Sequence, residues 1–176
     1  SVQQLIDCDS LDKGCKGGWA PNALSYISRN GGLVSELNYP YQEKDSSCQN
    51  EIISDENIEV KIDSHYSRCD EEECNEGEFQ FNLLKNGPVS VVIDAYNTRF
   101  YNYKSGYYDE DCAEPNHAVI LVGFGVDGET GDKYFIIRNS WGKDWGMDGY
   151  GYVKHDLNNY WSCNLGRYAF QPKVLN

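Results

Sequence analysis

A histidine and an asparagine with a tryptophan beside it are the residues of this sequence whose types and spacing could do chemistry. His117 opens the run Asn116-His117-Ala118-Val119-Ile120-Leu121-Val122-Gly123-Phe124-Gly125, at the mouth of a buried strand. Asn139 follows a second apolar run, Tyr134-Phe135-Ile136-Ile137, in the stretch YFIIRNSWGKDWGMDGYGYV. Two tryptophan-glycine pairs come next, Trp141-Gly142 and Trp145-Gly146, in a glycine-rich segment that reads as tight turns and not as helix. Each stretch alone has a plain structural reading: a satisfied histidine, and a hairpin whose indoles fill core. Together they describe an imidazole at one strand start oriented by an amide at a neighbouring strand end. That is the base half of a Cys-His-Asn nucleophilic site.

The elements that must position these groups follow from pattern. Ser1 to Cys8 reads as helix, with capping-box spacing between Ser1 and Gln4. A second helix starts at Pro21 and stops at Asn30-Gly31-Gly32. Residues 39–57 read as loop, and Ile58 to Ile62 alternates like a half-exposed strand. A third helix is expected over Glu76–Asn86, with Phe79, Leu83 and Leu84 on one face and Gly87-Pro88 as its stop. Val89–Ile93 is a buried strand, and the tyrosine-rich segment Phe100–Tyr108 is aromatic loop packing. The composition turns towards β near residue 60, which divides residues 1–60 from 61–176 without a linker or repeat.

The 176 residues, 40% hydrophobic, suffice for a sizeable core. With 28 acidic and 15 basic residues the net charge is −13, which excludes nucleic acid and anionic membrane surfaces as expected partners. No apolar run of membrane-spanning length appears. The chain opens in mid-pattern on Ser1, so a targeting segment is left open. Seven cysteines with no paired CxxC, and three histidines, argue for disulfides in an oxidising compartment over zinc, and no metal or cofactor is expected. The acidic loop from Cys69 to Cys74 has a calcium reading and a solvated reading, of which the second is preferred. The odd cysteine count leaves one thiol free or bonded elsewhere.

NHAVILVGFG followed by IIRNSWGKDWGMDGYGYV resembles the papain-like cysteine proteases, the family of the lysosomal cathepsins, and the likeness runs from QQLIDC to YAFQP. It implies an α+β, two-lobe fold with an incomplete helical left lobe and a β-barrel-like right lobe, and cysteine-type endopeptidase activity on peptide or protein substrates. His117 would be general base and acid, Asn139 its orienter and Trp141 the cover over their hydrogen bond. Gly17 and Gly18, in a Gly-Cys-x-Gly-Gly motif, would pair with the substrate backbone. Trp19, Ala20, Val92, Pro115, Ala118 and Tyr168 would line an apolar pocket for the side chain second from the cut bond, with Asn116 also in the substrate site. Tyr168 would shorten that pocket, and Trp145 would serve the leaving-group side.

The resemblance also implies disulfides Cys8–Cys48 and Cys112–Cys163, each closing forty to fifty residues for roughly 4 kcal/mol in the chain-entropy model. Cys69–Cys74 would be an additional pair. Asn164 stands where the family usually has Gly. The family's nucleophile motif is absent. Its cysteine should precede the His and Asn by roughly 130–150 residues, so about fifty residues of mature domain are expected ahead of Ser1, with Cys15 bonded to them. The chain would then be the heavy chain of a two-chain protease, a truncated fragment, or a non-catalytic homologue used for binding. Cystatin-like or propeptide inhibitors and a lysosomal, vacuolar or secreted location are implied as well. The lack of a histidine-rich insertion favours endopeptidase action.

Overall fold

The computed structural model describes residues 1–69, 76–110, 112–155, 163 and 165–175, with backbone alone at 67–69, 76 and 78. The acidic loop, the Cys69–Cys74 pairing and Asn164 lie outside the described residues. The chain forms two units: residues 1–66 with 172–176, and residues 67–171. The division therefore falls a few residues after the composition shift, and the C-terminal residues belong with the first unit.

In the first unit, α1 (Val2–Cys8) starts at Ser1, whose hydroxyl caps the Gln4 N–H. Its two glutamines, Gln3 and Gln4, are 0% exposed. Gln4 takes the Val34 N–H at 2.9 Å and donates to the Gly32 carbonyl at 3.3 Å. Gln3 takes the Gln42 N–H and donates to the Lys44 carbonyl, both at 2.8 Å. Loop backbone that would be orphaned inside the unit is thus satisfied by α1 side chains. Asp7 adds to this by accepting from Gln3, the Tyr39 hydroxyl and the Ser46 N–H. Cys8 is disulfide-bonded to Cys48. The second helix, α2 (Ala20–Arg29), carries Pro21 in its first turn and ends at Asn30 ahead of Gly31. β1 (Leu33–Val34) pairs with β2 (Ile58–Val60). The expected strand 58–62 is interrupted at Lys61, whose carbonyl accepts from Leu175, and β3 (Ile62–Cys69) begins beyond it.

The second unit is built on a sheet. After α3 (Glu76–Asn86) come β4 (Val89–Ile93), the short α4 (Thr98–Tyr101), β5 (Tyr107–Tyr108), β6 (His117–Val126), β7 (Lys133–Arg138), β8 (Tyr150–Lys154) and β9 (Ala169–Val174). Their order in the sheet is β9-β4-β6-β7-β8-β5, antiparallel except for β5 beside β8. Period-2 burial sends Val89, Val91, Ile93, Val119, Leu121, Phe135, Ile137 and Val153 into one core. Phe79 and Leu83, four apart on α3, join it, whereas Leu84 is 76% exposed. At 3.6 residues per turn Leu84 lies about 140° round from Phe79, so only the first two share the buried face. Gln171, 0% exposed, reaches the Gly87 carbonyl at 2.6 Å and ties β9 to the turn after α3. Cys112 is disulfide-bonded to Cys163 within this unit.

Replacing Gln4 with Ala leaves the Val34 N–H and Gly32 C=O buried without their partners. Urea unfolding of the Gln4→Ala protein should show a loss of about 1–3 kcal/mol. A midpoint unchanged from the parent would refute the structural role assigned to that side chain.

Candidate active site

Adjacent antiparallel strands bring the start of one to the end of the other, and that rule assembles the site. Ile120 of β6 faces Arg138 of β7. His117, three residues earlier, and Asn139, one residue later, therefore meet at the same end of the sheet. On its other side β6 pairs with β4, with His117 opposite Ile93 and Ala118 opposite Val92.

His117 Nε2 lies 2.9 Å from Asn139 Oδ1, and Oδ1 also receives the Ser140 N–H at 2.8 Å. An atom that accepts a backbone N–H is the amide oxygen, so the histidine nitrogen facing it must carry the proton. The neutral ring is thereby held as the Nε2–H tautomer, with a lone pair on Nδ1. Asn139 itself is only 8% exposed, and its backbone N–H bonds to the Gly149 carbonyl at 2.9 Å. The Asn139 Nδ2 is buried with no partner among the described residues. The same asparagine lines a polar cavity of about 400 Å³ with Arg138, Ser140, Lys143, Asp148 and Tyr150.

The Trp141 ring sits 4.8 Å from the His117 ring at a 35° tilt. It shields one side of the imidazole. Trp141 rests on Phe100 and Tyr101 at 5.7 and 5.5 Å. Trp145 is buried, with its indole N–H bonded to the Phe100 carbonyl at 2.9 Å and its ring against Tyr103. Its contribution is mainly to the core, although an edge lines a cavity of about 440 Å³ with Tyr101, Asn102, Lys104, Trp141 and Asp144. The expected turns are present: Gly146, at φ +60°, would put a Cβ against the Tyr150 carbonyl, which only glycine avoids.

Asn116, expected in the substrate site, is exposed, and its side-chain amide is engaged within the protein. Its Oδ1 takes the Ala95 N–H at 3.0 Å, and its Nδ2 donates to Asp94 at 2.8 Å and to the Glu114 carbonyl at 3.1 Å. These bonds fix the loop that delivers His117. Asp94 was not singled out from the sequence, because nothing local marks it. Burial pushes its carboxyl up, but the Ala113 and Tyr96 N–H groups and the Asn116 amide outweigh that and hold it below the usual carboxylate value. The anchor is therefore intact above the ordinary carboxylate range and lost only as pH falls through the lowered value.

Val92 and Ala118 are cross-strand neighbours, half-buried and exposed. Pro115 is half-buried in the loop before β6, and Tyr168, also half-buried, lies under the Arg167 guanidinium at 5.3 Å. Gly17, Gly18, Trp19 and Ala20 belong to the first unit, where the two glycines are exposed. Cys15 is an exposed free thiol, pushed up by local desolvation and by the carboxylates of Asp45 and Asp7. A thiol so disfavoured as thiolate is a poor nucleophile. Among the described residues, no cluster of His, Cys, Asp or Glu is placed to hold a metal ion.

An imidazole oriented through Nε2 by an asparagine, under a tryptophan, on an α+β chain, defines a class. The sequence matches the papain family cysteine protease profile over residues 1–173, and the chain belongs to that family. It is 37% identical to cathepsin J of Mus musculus over 182 residues and 38% identical to procathepsin L of Rattus norvegicus over 181. Each alignment covers 99% of this chain and 52% of the relative, so the chain spans about half their length. Its fold is similar to the proform of the ragweed pollen allergen Amb a 11 cysteine protease, with TM-score 0.89 and 32% identity, over 100% of this chain and 52% of that one. The bromelain protease of Ananas comosus, solved with the E64 inhibitor, matches with TM-score 0.85 and 32% identity, over 97% and 76%.

Nitrogen-resolved NMR of the histidine side chains checks the tautomer. The neutral His117 ring should carry its proton on Nε2, in slow exchange with water, and Asn139→Ala should bring that proton into fast exchange. A ring protonated on Nδ1 would contradict the geometry.

Proposed function

We propose that this chain supplies the imidazole and the substrate-holding groups of a papain-type cysteine endopeptidase. The observation that carries the reading is the His117 Nε2–Asn139 Oδ1 bond of 2.9 Å, which leaves Nδ1 as the nitrogen that can take a proton. A thiol brought to Nδ1 loses its proton to His117, forming a thiolate beside an imidazolium. The thiolate attacks the peptide carbonyl, and His117 returns the proton to the departing amine. Water, activated by the same imidazole, then releases the acyl group and regenerates the thiol. Asn139, being uncharged, orients the ring without placing a second negative charge near the thiolate.

The thiol is proposed to come from a segment outside these 176 residues, bonded to Cys15 as the light chain of a two-chain enzyme. Cys8, Cys48, Cys112 and Cys163 are engaged in disulfides, and Cys15 is an exposed free thiol to which such a segment could be linked. In the first unit, the exposed Gly17–Gly18 edge would take the substrate backbone by β-type pairing. In the second, Val92 and Ala118 would offer an apolar patch to a substrate side chain. The disulfides fit an oxidising compartment, lysosomal, vacuolar or extracellular. A propeptide, as in the proforms of similar proteases, and cystatin-like proteins are the proposed inhibitors.

The test is an intact-mass measurement of native material treated with a thiol-reactive epoxide, before and after reduction. Reduction should release a labelled partner of roughly five kilodaltons, the mass of about fifty residues. A lone 20.0 kDa chain without label would overturn the catalytic reading and leave a binding protein or an inactive fragment.

A further inference from the structure

The Gly14–Trp19 loop of the first unit is braced by two carboxylates that no catalytic step requires. Asp12 Oδ1 accepts the Trp19 N–H at 3.0 Å and the Asn22 Nδ2 at 2.9 Å. Asp45 Oδ1 accepts the Cys15 N–H at 2.7 Å at the loop's other end. Between them the Lys13 N–H bonds to the Gly17 carbonyl at 2.9 Å and closes the base of the loop. Gly17 adopts φ +101°, and a Cβ there would meet nothing within 4 Å. A Cβ on Gly18 would fall 2.5 Å from the Asp12 carboxyl carbon, so the Gly18 backbone lies directly against that carboxylate. Gly18 is exposed, and its own N–H and C=O have no partner among the described residues.

The peptide unit between Gly18 and Trp19 is planar and trans, so its N–H and C=O point in opposite directions. Anchoring the Trp19 N–H on Asp12 therefore aims the Gly18 C=O away from Asp12. We infer that Asp12 is a positioning residue for substrate: by holding the Trp19 N–H it fixes the direction in which Gly18 presents its backbone to a peptide. The inference rests on the reading that the Gly17–Gly18 edge receives the substrate backbone. Asp12 touches no substrate itself. It removes the rotational freedom of a glycine-rich loop before binding, so that pairing does not have to order the loop. Asp45 does the same for the other end of the loop through Cys15.

The experiment uses the enzyme assembled from this chain and its thiol-bearing segment. Two peptide substrates are compared, identical except for N-methylation of the residue second from the cut bond on its N-terminal side. In the parent enzyme the N-methyl group removes one backbone hydrogen bond to Gly18 and should lower kcat/KM by about tenfold. Asp12→Ala should lower kcat/KM for the unmodified peptide by about tenfold, mainly through KM, and abolish most of the N-methyl penalty. Asp12→Asn keeps an acceptor oxygen at the same place and should restore both. An Asp12→Ala enzyme with the full N-methyl penalty, or an Asp12→Asn enzyme that behaves like Asp12→Ala, would overturn the inference while leaving the glycine edge in place. A parent enzyme indifferent to N-methylation would instead overturn the edge reading. If Asp12→Ala does not fold, Asp12→Glu, which moves the carboxylate out by one methylene, should reduce the penalty partially, and a full penalty there would refute the inference.

Discussion

The antiparallel pairing of β6 with β7 is the constraint from which the site follows. It places Ile120 against Arg138, and so brings the first residue of one strand to the residue just past the other. Because side chains alternate faces, a slip of one residue would send Phe135 and Ile137 out of the core and carry Asn139 away from His117. Core burial and the meeting of His117 with Asn139 are therefore specified by the same register. The loop after Asn139 adds the indoles: Trp145 is fixed in the core by its bond to the Phe100 carbonyl, and Trp141 stands on the same Phe100 ring beside the imidazole.

Most of that arrangement was legible in the chain. The runs 89–93 and 134–137 are apolar enough to read as strands, and both lie within β4 and β7. His117 and Asn139 stand at the ends of such runs, which is where short-range pattern can point to a meeting of side chains. The helix over Glu76–Asn86 was equally readable from periodicity and its Gly87-Pro88 stop. What pattern could not supply were the polar groups that act over long separations. Nothing local marks Gln3 and Gln4 for burial, yet both are wholly buried and bond to backbone some thirty to forty residues away. Asp94 and Asn116 are joined across 22 residues, and neither has a local signature. The Lys61 carbonyl, at the break between β2 and β3, likewise finds its partner far along the chain, at Leu175.

Stability and chemistry share these polar groups unevenly. In the first unit, side-chain amides and carboxylates of α1 hold loop backbone in place. In the second unit a hydrophobic core fixes the strands, and only a few polar bonds at the sheet end act on the imidazole. The asparagine that orients His117 is held at its backbone by Gly149 and at its side chain by Ser140, so its amide cannot turn to offer the wrong atom. Preorganisation of this kind fixes which ring nitrogen of His117 carries the proton and which keeps its lone pair.

The central claim, that Asn139 holds His117 ready to take a thiol proton through Nδ1, is tested most directly by thiol reactivity against pH. The alkylation rate of the catalytic cysteine by a neutral haloacetamide would be followed in the assembled enzyme and in its His117→Ala variant. Formation of a thiolate–imidazolium pair predicts rapid alkylation on a plateau that reaches well below the ordinary thiol value of about 8.5, and in His117→Ala a rate that rises only near that value. Identical profiles in the two proteins, both rising near 8.5, would contradict the account.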